Sequence, residues 1–277
     1  MLERFRTWLY APGDRPDRCR KAMATHADQV IWDLEDAVSE DRKTFARDTV
    51  TALLKEPFAR KPWVRVNGWD TAWGLKDCER LHGVLGNHLR VAVPKATFKV
   101  AQALQEYGFS GEWLFIIETA QGLADVMDMK TPWPVNGQAR FAFGALDYRN
   151  DMGALETADE VEMTLPRSLL VLASRMWGWL APIDAVFPGI TDGDAVEASS
   201  RRARALGMAG KMIIHPQQIA PVHRAYAPRP EDVDWAEDVM KAAQSAGAVK
   251  VRGAMVDRPV IERARQILKE TNEGGEA

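Results

Sequence analysis

The stretch Trp113-Leu114-Phe115-Ile116-Ile117-Glu118-Thr119 runs an unbroken apolar series into a carboxylate. Arg140-Phe141-Ala142-Phe143-Gly144-Ala145-Leu146-Asp147 repeats the figure. A short apolar run without alternation, closed by polar residues, reads as a strand covered on both faces. Working outward, similar β-branched or aromatic runs stand at 7–10, 29–34, 63–66, 91–93, 185–187 and 211–214, and with 113–117 and 140–143 they make eight. Helical patterns lie between them, among others at 18–26, 44–54, 75–85, 100–107 and 166–177. Strands alternating with helices predict a parallel sheet, and eight such units predict closure into a barrel.

Periodicity alone does not separate a barrel from an open doubly wound sheet. The polar residues do. They collect just after the runs: Pro12-Gly13-Asp14-Arg15-Pro16, Asp33-Leu34-Glu35-Asp36, Arg65-Val66-Asn67, Pro94-Lys95, Glu118-Thr119, Gly144 to Asp147, and His215-Pro216. In a (β/α)8 TIM barrel the chemistry sits at the C-terminal ends of the strands, which is where these residues fall. The expected fold is therefore an α/β (β/α)8 barrel over residues 1–226. Ala227-Pro228-Arg229-Pro230 is a stiff connector to a C-terminal helical extension over 227–277, with helical patterns at 231–246 and 260–268.

The 277 residues, 46% hydrophobic and 27% charged, suffice for a sizeable core, and a net charge of −3 gives no reason to expect nucleic acid as the main partner; the expectation is no nucleic acid. Two cysteines, Cys19 and Cys78, make no disulfide framework, and the N-terminal stretch lacks a signal-peptide core. No uncharged apolar run approaches the roughly 18 residues of a membrane span. The expected location is the cytoplasm.

Glu118 and Asp147 end neighbouring predicted strands, where two carboxylates can share one hard cation and leave its other positions to water and substrate. The alternative is a pair of solvated loop acids or helix caps. The lack of a nearby His in sequence favours Mg2+ or Mn2+ over zinc. Arg65 is a charge inside an apolar strand, costly unless it is paired or faces a site. Its fork suits a carboxylate or a developing enolate oxygen, and equally an ion pair with Asp33, Glu35 or Asp36. That acidic trio can position Arg65, Lys95 or metal-bound water, or simply favour the start of the next helix. Arg15 stands in a turn where it can meet a phosphate. His215 reads as a general base or as a structural histidine.

The segments 6–14, 33–38, Val64-Arg65-Val66-Asn67, Ile117-Glu118-Thr119-Ala120, 143–148 and 214–219 occur in an order that resembles the citrate lyase β-subunit-like branch of the HpcH/HpaI aldolase superfamily, which includes malyl-CoA and citramalyl-CoA lyases. The resemblance spans almost the whole chain. It implies a barrel assembled as trimers or hexamers, with Mg2+ held at Glu118 and Asp147, and Arg65 on the keto or enolate oxygen. The backbone of Gly144, Ala145, Leu146 and Asp147 would bind the small acid's carboxylate. Residues 253–259 resemble the C-terminal segment that closes a neighbouring subunit's site and supplies an acid, here Asp257.

The implied activity is cleavage or formation of a carbon–carbon bond in a small hydroxyacyl-CoA thioester, with glyoxylate, pyruvate or oxaloacetate as the oxo acid. The rival readings are a free-acid pyruvate aldolase, a malyl-CoA thioesterase, and a non-catalytic or partner-dependent β subunit of a citrate lyase complex. The tail that carries Asp257 and the basic region 15–20 favour the CoA thioester, because a long anionic group needs a lid and cations.

Overall fold

The structure, a computed structural model, describes residues 5–128, 130–244 and 250–274. It divides into two compact units, Met1–Ala225 and Tyr226–Ala277. In the first, eight parallel strands close in sequence order, β1 next to β2 and so on round to β8, which pairs back onto β1 through Thr7↔Lys211, Trp8↔Met212 and Leu9↔Ile213.

The first half of the barrel runs β1 (Thr7–Pro12), α1 (Pro16–Met23), β2 (Gln29–Asp33), α2 (Lys43–Leu53), β3 (Trp63–Arg65), α3 (Gly74–Leu85), β4 (Leu89–Val93) and α4 (Phe98–Glu106). The second half runs β5 (Gly111–Ile117), α5 (Ala120–Met127), β6 (Gly137–Phe143), α6 (Ala145–Met152), α7 (Thr164–Met176), β7 (Leu180–Asp184), α8 (Gly193–Ala205), β8 (Gly210–Ile213) and α9 (Ile219–Tyr226).

Each strand contributes to the barrel interior: Trp8, Ile31, Trp63, Ala92, Leu114 with Ile116, Ala142, Ile183 and Met212 form one buried cluster. Removing the Ile, Leu and Met side chains of this cluster from water is worth roughly 1.5–3 kcal/mol apiece. Close approach of β4, β5 and β6 at their beginnings depends on two glycines. A Cβ on Gly111 would strike the Leu89 carbonyl, and one on Gly137 would strike that of Gly111.

One strand departs from expectation. The seventh was read at 185–187, and it runs instead over Leu180–Asp184. Pro182 explains the difference, because a residue without N–H argues against a central strand unless it sits in a bulge. Here the β6–β7 register steps from Arg140↔Leu180 to Ala142↔Ile183, so Ala181 and Pro182 oppose one residue of β6.

The same strand ends in a buried ionic cluster between barrel and helices. Asp184 receives Arg167 of α7 at 2.7 and 3.1 Å and Lys211 of β8 at 2.6 Å. Lys211 also reaches Ser199 of α8 at 3.1 Å. Glu160 lies 2.6 Å from Arg167 and accepts from Arg202 at 2.8 Å.

The second unit consists of α10 (Pro230–Ala242), a hairpin of β9 (Lys250–Val251) and β10 (Ala254–Met255), and α11 (Arg258–Gly274). Both turn residues of the hairpin, Arg252 and Gly253, have φ between 47° and 84°, as a two-residue turn matched to strand twist requires. The hairpin was not expected. Ala236, Val239 and Ala264 form this unit's core, with Trp235, Ile261 and Leu268 packed on it. Positions 245 and 246 of the expected 231–246 helix lie outside the described residues. No described helix is long and apolar enough to cross a membrane.

Candidate active site at the barrel mouth

Strand register brings the site together. Pro12, Asp33, Arg65 and Ala92 are successive partners across β1 to β4, and Ile117 pairs with Phe143 across β5 and β6. The residues at or just beyond these positions therefore meet in one ring.

Arg65 is the hub. Its guanidinium makes a two-pronged contact with Asp33, Nε at 2.7 Å and Nη2 at 2.6 Å. Nη1 lies 3.0 Å from Glu35 and 3.1 Å from Asp36. The same group stacks over the Tyr10 ring at 4.9 Å, a contact the sequence reading missed because an aromatic on an apolar strand looks like core. Arg65 is ion-paired with all three acids that follow β2.

Asp33 also accepts from the backbone N–H groups of Glu35 at 2.9 Å and Ala37 at 3.0 Å. Burial works to raise its pKa, yet Arg65 and these bonds hold it below the usual carboxylate range. Lys43, which carried no sequence signal, donates to the carbonyls of Leu34 and Glu35 at 2.9 and 2.6 Å and clamps the acidic loop.

Glu118 is buried, and its Oε1 accepts the Lys95 backbone N–H at 2.7 Å. Lys95 holds a φ of 46° to make that bond, a conformation costing a non-glycine residue roughly 1–3 kcal/mol. Its Nζ lies 3.5 Å from Glu35. Gly144, half-buried at the end of β6, lies so close that a Cβ there would collide with the Glu118 side chain. Ala145 is buried, Leu146 is exposed, and Asp147 sits half-buried in the first turn of α6, whose N-terminus has no side-chain cap.

The electrostatics are unbalanced. Burial, then the neighbouring charges of Glu35 and Asp147, push the Glu118 carboxyl up to about 8, against the pull of Lys95 N–H and Arg65. Burial, with Asp36 and Asp33, pushes Glu35 up to about 7 although Arg65 and Lys95 oppose it. Such a site has more negative charge than its cations answer.

Among the described residues no group of three or more His, Cys, Asp and Glu side chains is arranged to hold a metal alone. Two carboxylates with open positions fit Mg2+, which retains waters and substrate oxygens and seldom takes an all-protein cage.

The remaining predicted residues have local partners. Arg15 is exposed at the start of α1, 3.7 Å from Asp14. His215 takes its structural reading: Nδ1 accepts from Gln217 N–H at 3.3 Å, capping the turn that precedes α9. Asp257 belongs to the second unit, where Oδ1 accepts from Val260 N–H at 3.1 Å at the start of α11.

Comparison with known proteins bears on the family and the fold. The HpcH/HpaI aldolase/citrate lyase family matches residues 6–216, and a C-C bond lyase family of the TIM-barrel fold matches 196–274. A citrate lyase subunit beta-like protein of Deinococcus radiodurans is 33% identical over 280 residues, covering 95% of this chain and 96% of its own. A (3S)-malyl-CoA thioesterase of Cereibacter sphaeroides is 30% identical, with 95% and 93% covered. The crystal structure of Mycobacterium tuberculosis CitE in complex with magnesium, acetoacetate and coenzyme A superposes with a TM-score of 0.84 at 31% identity, covering 98% of this chain and 100% of that one. An eight-stranded barrel with an acid-rich mouth, matched along nearly its full length, leaves one placement: this chain belongs to the HpcH/HpaI aldolase/citrate lyase family, carbon–carbon lyases built on the TIM barrel.

Proposed function

We propose that the chain is a Mg2+-dependent lyase, with Mn2+ as the alternative ion, acting on a small 3-hydroxyacyl-CoA such as citramalyl-, malyl- or citryl-CoA. Cleavage releases an α-oxo acid and acetyl-CoA; the reverse reaction condenses them. The observation that carries the reading is the buried Glu118 carboxylate just beyond β5, with Asp147 in the turn that follows the neighbouring β6 and the Arg65 guanidinium in the same ring. The magnesium and coenzyme A held by the M. tuberculosis protein support it.

Glu118 and Asp147 would hold the ion, which supplies Lewis acidity toward the oxo group when bound. Arg65 faces the oxygen that gains negative charge, and Asp33 with Tyr10 keeps its fork in place. Gly144 N–H donates to the Ile117 carbonyl at 3.0 Å, so the uncapped first turn of α6 would offer the acid's carboxylate the backbone N–H groups of Ala145, Leu146 and Asp147. In cleavage the hydroxyl proton leaves to a base and the bond from the carbinol carbon to the thioester α-carbon breaks. The electron pair passes to the thioester enolate. Asp257, carried on the 227–277 extension, then supplies the proton that the α-carbon takes up. Homo-oligomers, trimers or hexamers, accompany this reading.

A second reading is hydrolysis of the thioester, favoured by the C. sphaeroides relatives. The purified chain with Mg2+ and a panel of hydroxyacyl-CoA thioesters distinguishes the two. A lyase releases oxo acid with no free thiol, and a thioesterase releases thiol. Silence with every thioester, by both readouts, overturns both. Asp257→Asn is expected to bind Mg2+ normally and lose turnover; unchanged turnover removes Asp257 from the reaction.

A further inference from the structure

The proposed cleavage leaves one role at the mouth unfilled, that of the base taking the hydroxyl proton. The acids there differ in how completely they are already engaged. Asp33 is saturated: Oδ1 accepts from Glu35 N–H and Arg65 Nε, and Oδ2 from Ala37 N–H and Arg65 Nη2. The Asp36 side chain is 61% exposed, so water answers its charge. Glu118 and Asp147 are committed to the ion in the lyase reading, on which this inference rests.

Glu35 is different. It is only 7% exposed, and its Oε2 is buried with no hydrogen-bond partner among the described residues. Arg65 Nη1 lies 3.0 Å from that oxygen as an ion pair, which holds the charge and leaves the oxygen open to a donor. A buried acceptor without a donor is costly, and a substrate hydroxyl at the Arg65 fork would relieve it. The other oxygen, Oε1, stands 3.5 Å from Nζ of Lys95, whose side chain is half exposed and marks a way out to water.

The residue is also held in place. Its N–H donates to Asp33 at 2.9 Å, and its carbonyl accepts from Lys43 Nζ at 2.6 Å. Burial, with Asp36 and Asp33 acting against Arg65 and Lys95, pushes the carboxyl up to about 7, where a group exchanges protons readily near neutrality.

We propose that Glu35 is the base of the carbon–carbon step, its Oε2 taking the substrate's hydroxyl proton beside Arg65. As the O–H bond breaks, the carbinol carbon becomes the oxo carbon. The electron pair of the breaking carbon–carbon bond passes to the thioester enolate, which Asp257 protonates. Glu35 then releases its proton to water past Lys95. In condensation the protonated carboxyl gives the proton back to the new alkoxide.

The test uses the full chain with Mg2+ and malyl-, citramalyl- and citryl-CoA, following oxo-acid release. With the thioester that the wild type cleaves fastest, Glu35→Gln is expected to lower kcat roughly 100–10000-fold and leave KM unchanged. Its melting temperature should still rise with Mg2+, and calorimetry should show wild-type binding of the oxo acid released. Those readouts would move if Glu35 only supported the site. Asp36→Asn, which removes the other acid on Arg65 Nη1, is expected to lose far less turnover. A Glu35→Gln chain that cleaves at the wild-type rate overturns this assignment alone. So does one that loses Mg2+ or oxo-acid binding together with turnover, or an equal loss in Asp36→Asn. A wild type that releases no oxo acid from any thioester overturns the lyase reading and this assignment together.

Discussion

Two ionic clusters in this barrel look alike as lists of residues and behave oppositely. At the side, Asp184, Arg167, Lys211, Glu160 and Arg202 answer one another's charges almost completely. The Glu160 carboxyl is held down to about 2, against its burial, by the hydrogen bond from Arg202, the charge of Arg167 and the bond from Ser199. At the mouth, Arg65 and Lys95 face Asp33, Glu35, Asp36, Glu118 and Asp147, and two of those acids rise to about 7 and 8. Balanced charge stabilises a fold. Unbalanced charge at the barrel mouth is what a site completed by a bound ion would show.

The contrast breaks most sharply at Asp184. Asp184→Asn leaves Arg167 and Lys211 buried without their counter-charge and should cost about 3–5 kcal/mol in denaturant unfolding. Turnover per folded molecule should be untouched. A stable variant would mean that the side cluster is dispensable.

Arg65→Lys is next. Lysine keeps the charge but loses the fork that holds Asp33, so turnover should fall roughly 100–1000-fold with a smaller loss of stability. Full turnover in steady-state assays would remove Arg65 from the reaction.

Glu118→Gln should act in the other direction on stability. Near neutral pH the folded chain holds a proton on Glu118 that the unfolded chain gives up; the amide removes that cost, so the metal-free protein should gain about 1–3 kcal/mol while its melting temperature stops responding to Mg2+. Loss of stability, or a retained Mg2+ response, contradicts the picture of the mouth.

The remaining tests are in pH. Glu160 has a folded pKa of about 2 against an ordinary 4.5, so its contribution is fully present above 4.5 and is lost as pH falls from there toward 2. Glu118 is the reverse. Its folded pKa of about 8 means the folded chain holds the proton between 4.5 and 8, and chelated protein should lose stability as pH rises through that window. Added Mg2+ should flatten that slope. A chelated protein equally stable at pH 5 and pH 8 argues against it.

Much of this was legible in the order of residues. Runs such as 113–117 had to be strands buried on both faces, and the polar residues after them marked one end of a barrel. Glu118, Arg65, Asp33 and Glu35 could be named because a charge directly after an apolar run stands out against its neighbours. Tyr10, Lys43 and the Asp184 cluster could not. An aromatic on a strand, a lysine at a helix start and an aspartate near Pro182 each look ordinary until their partners, distant in sequence, are known. The seventh strand was misread for the same reason, since only its pairing with β6 makes room for Pro182.

What the linear chain determined by itself is the alternation of elements and the chemical type of each strand end, because hydrophobic period and local polarity act over a few residues. What only the tertiary structure decided is which charges are answered and which are left over. That balance depends on register across neighbouring strands and on the low dielectric of a closed barrel, and both exist only once β8 has returned to β1.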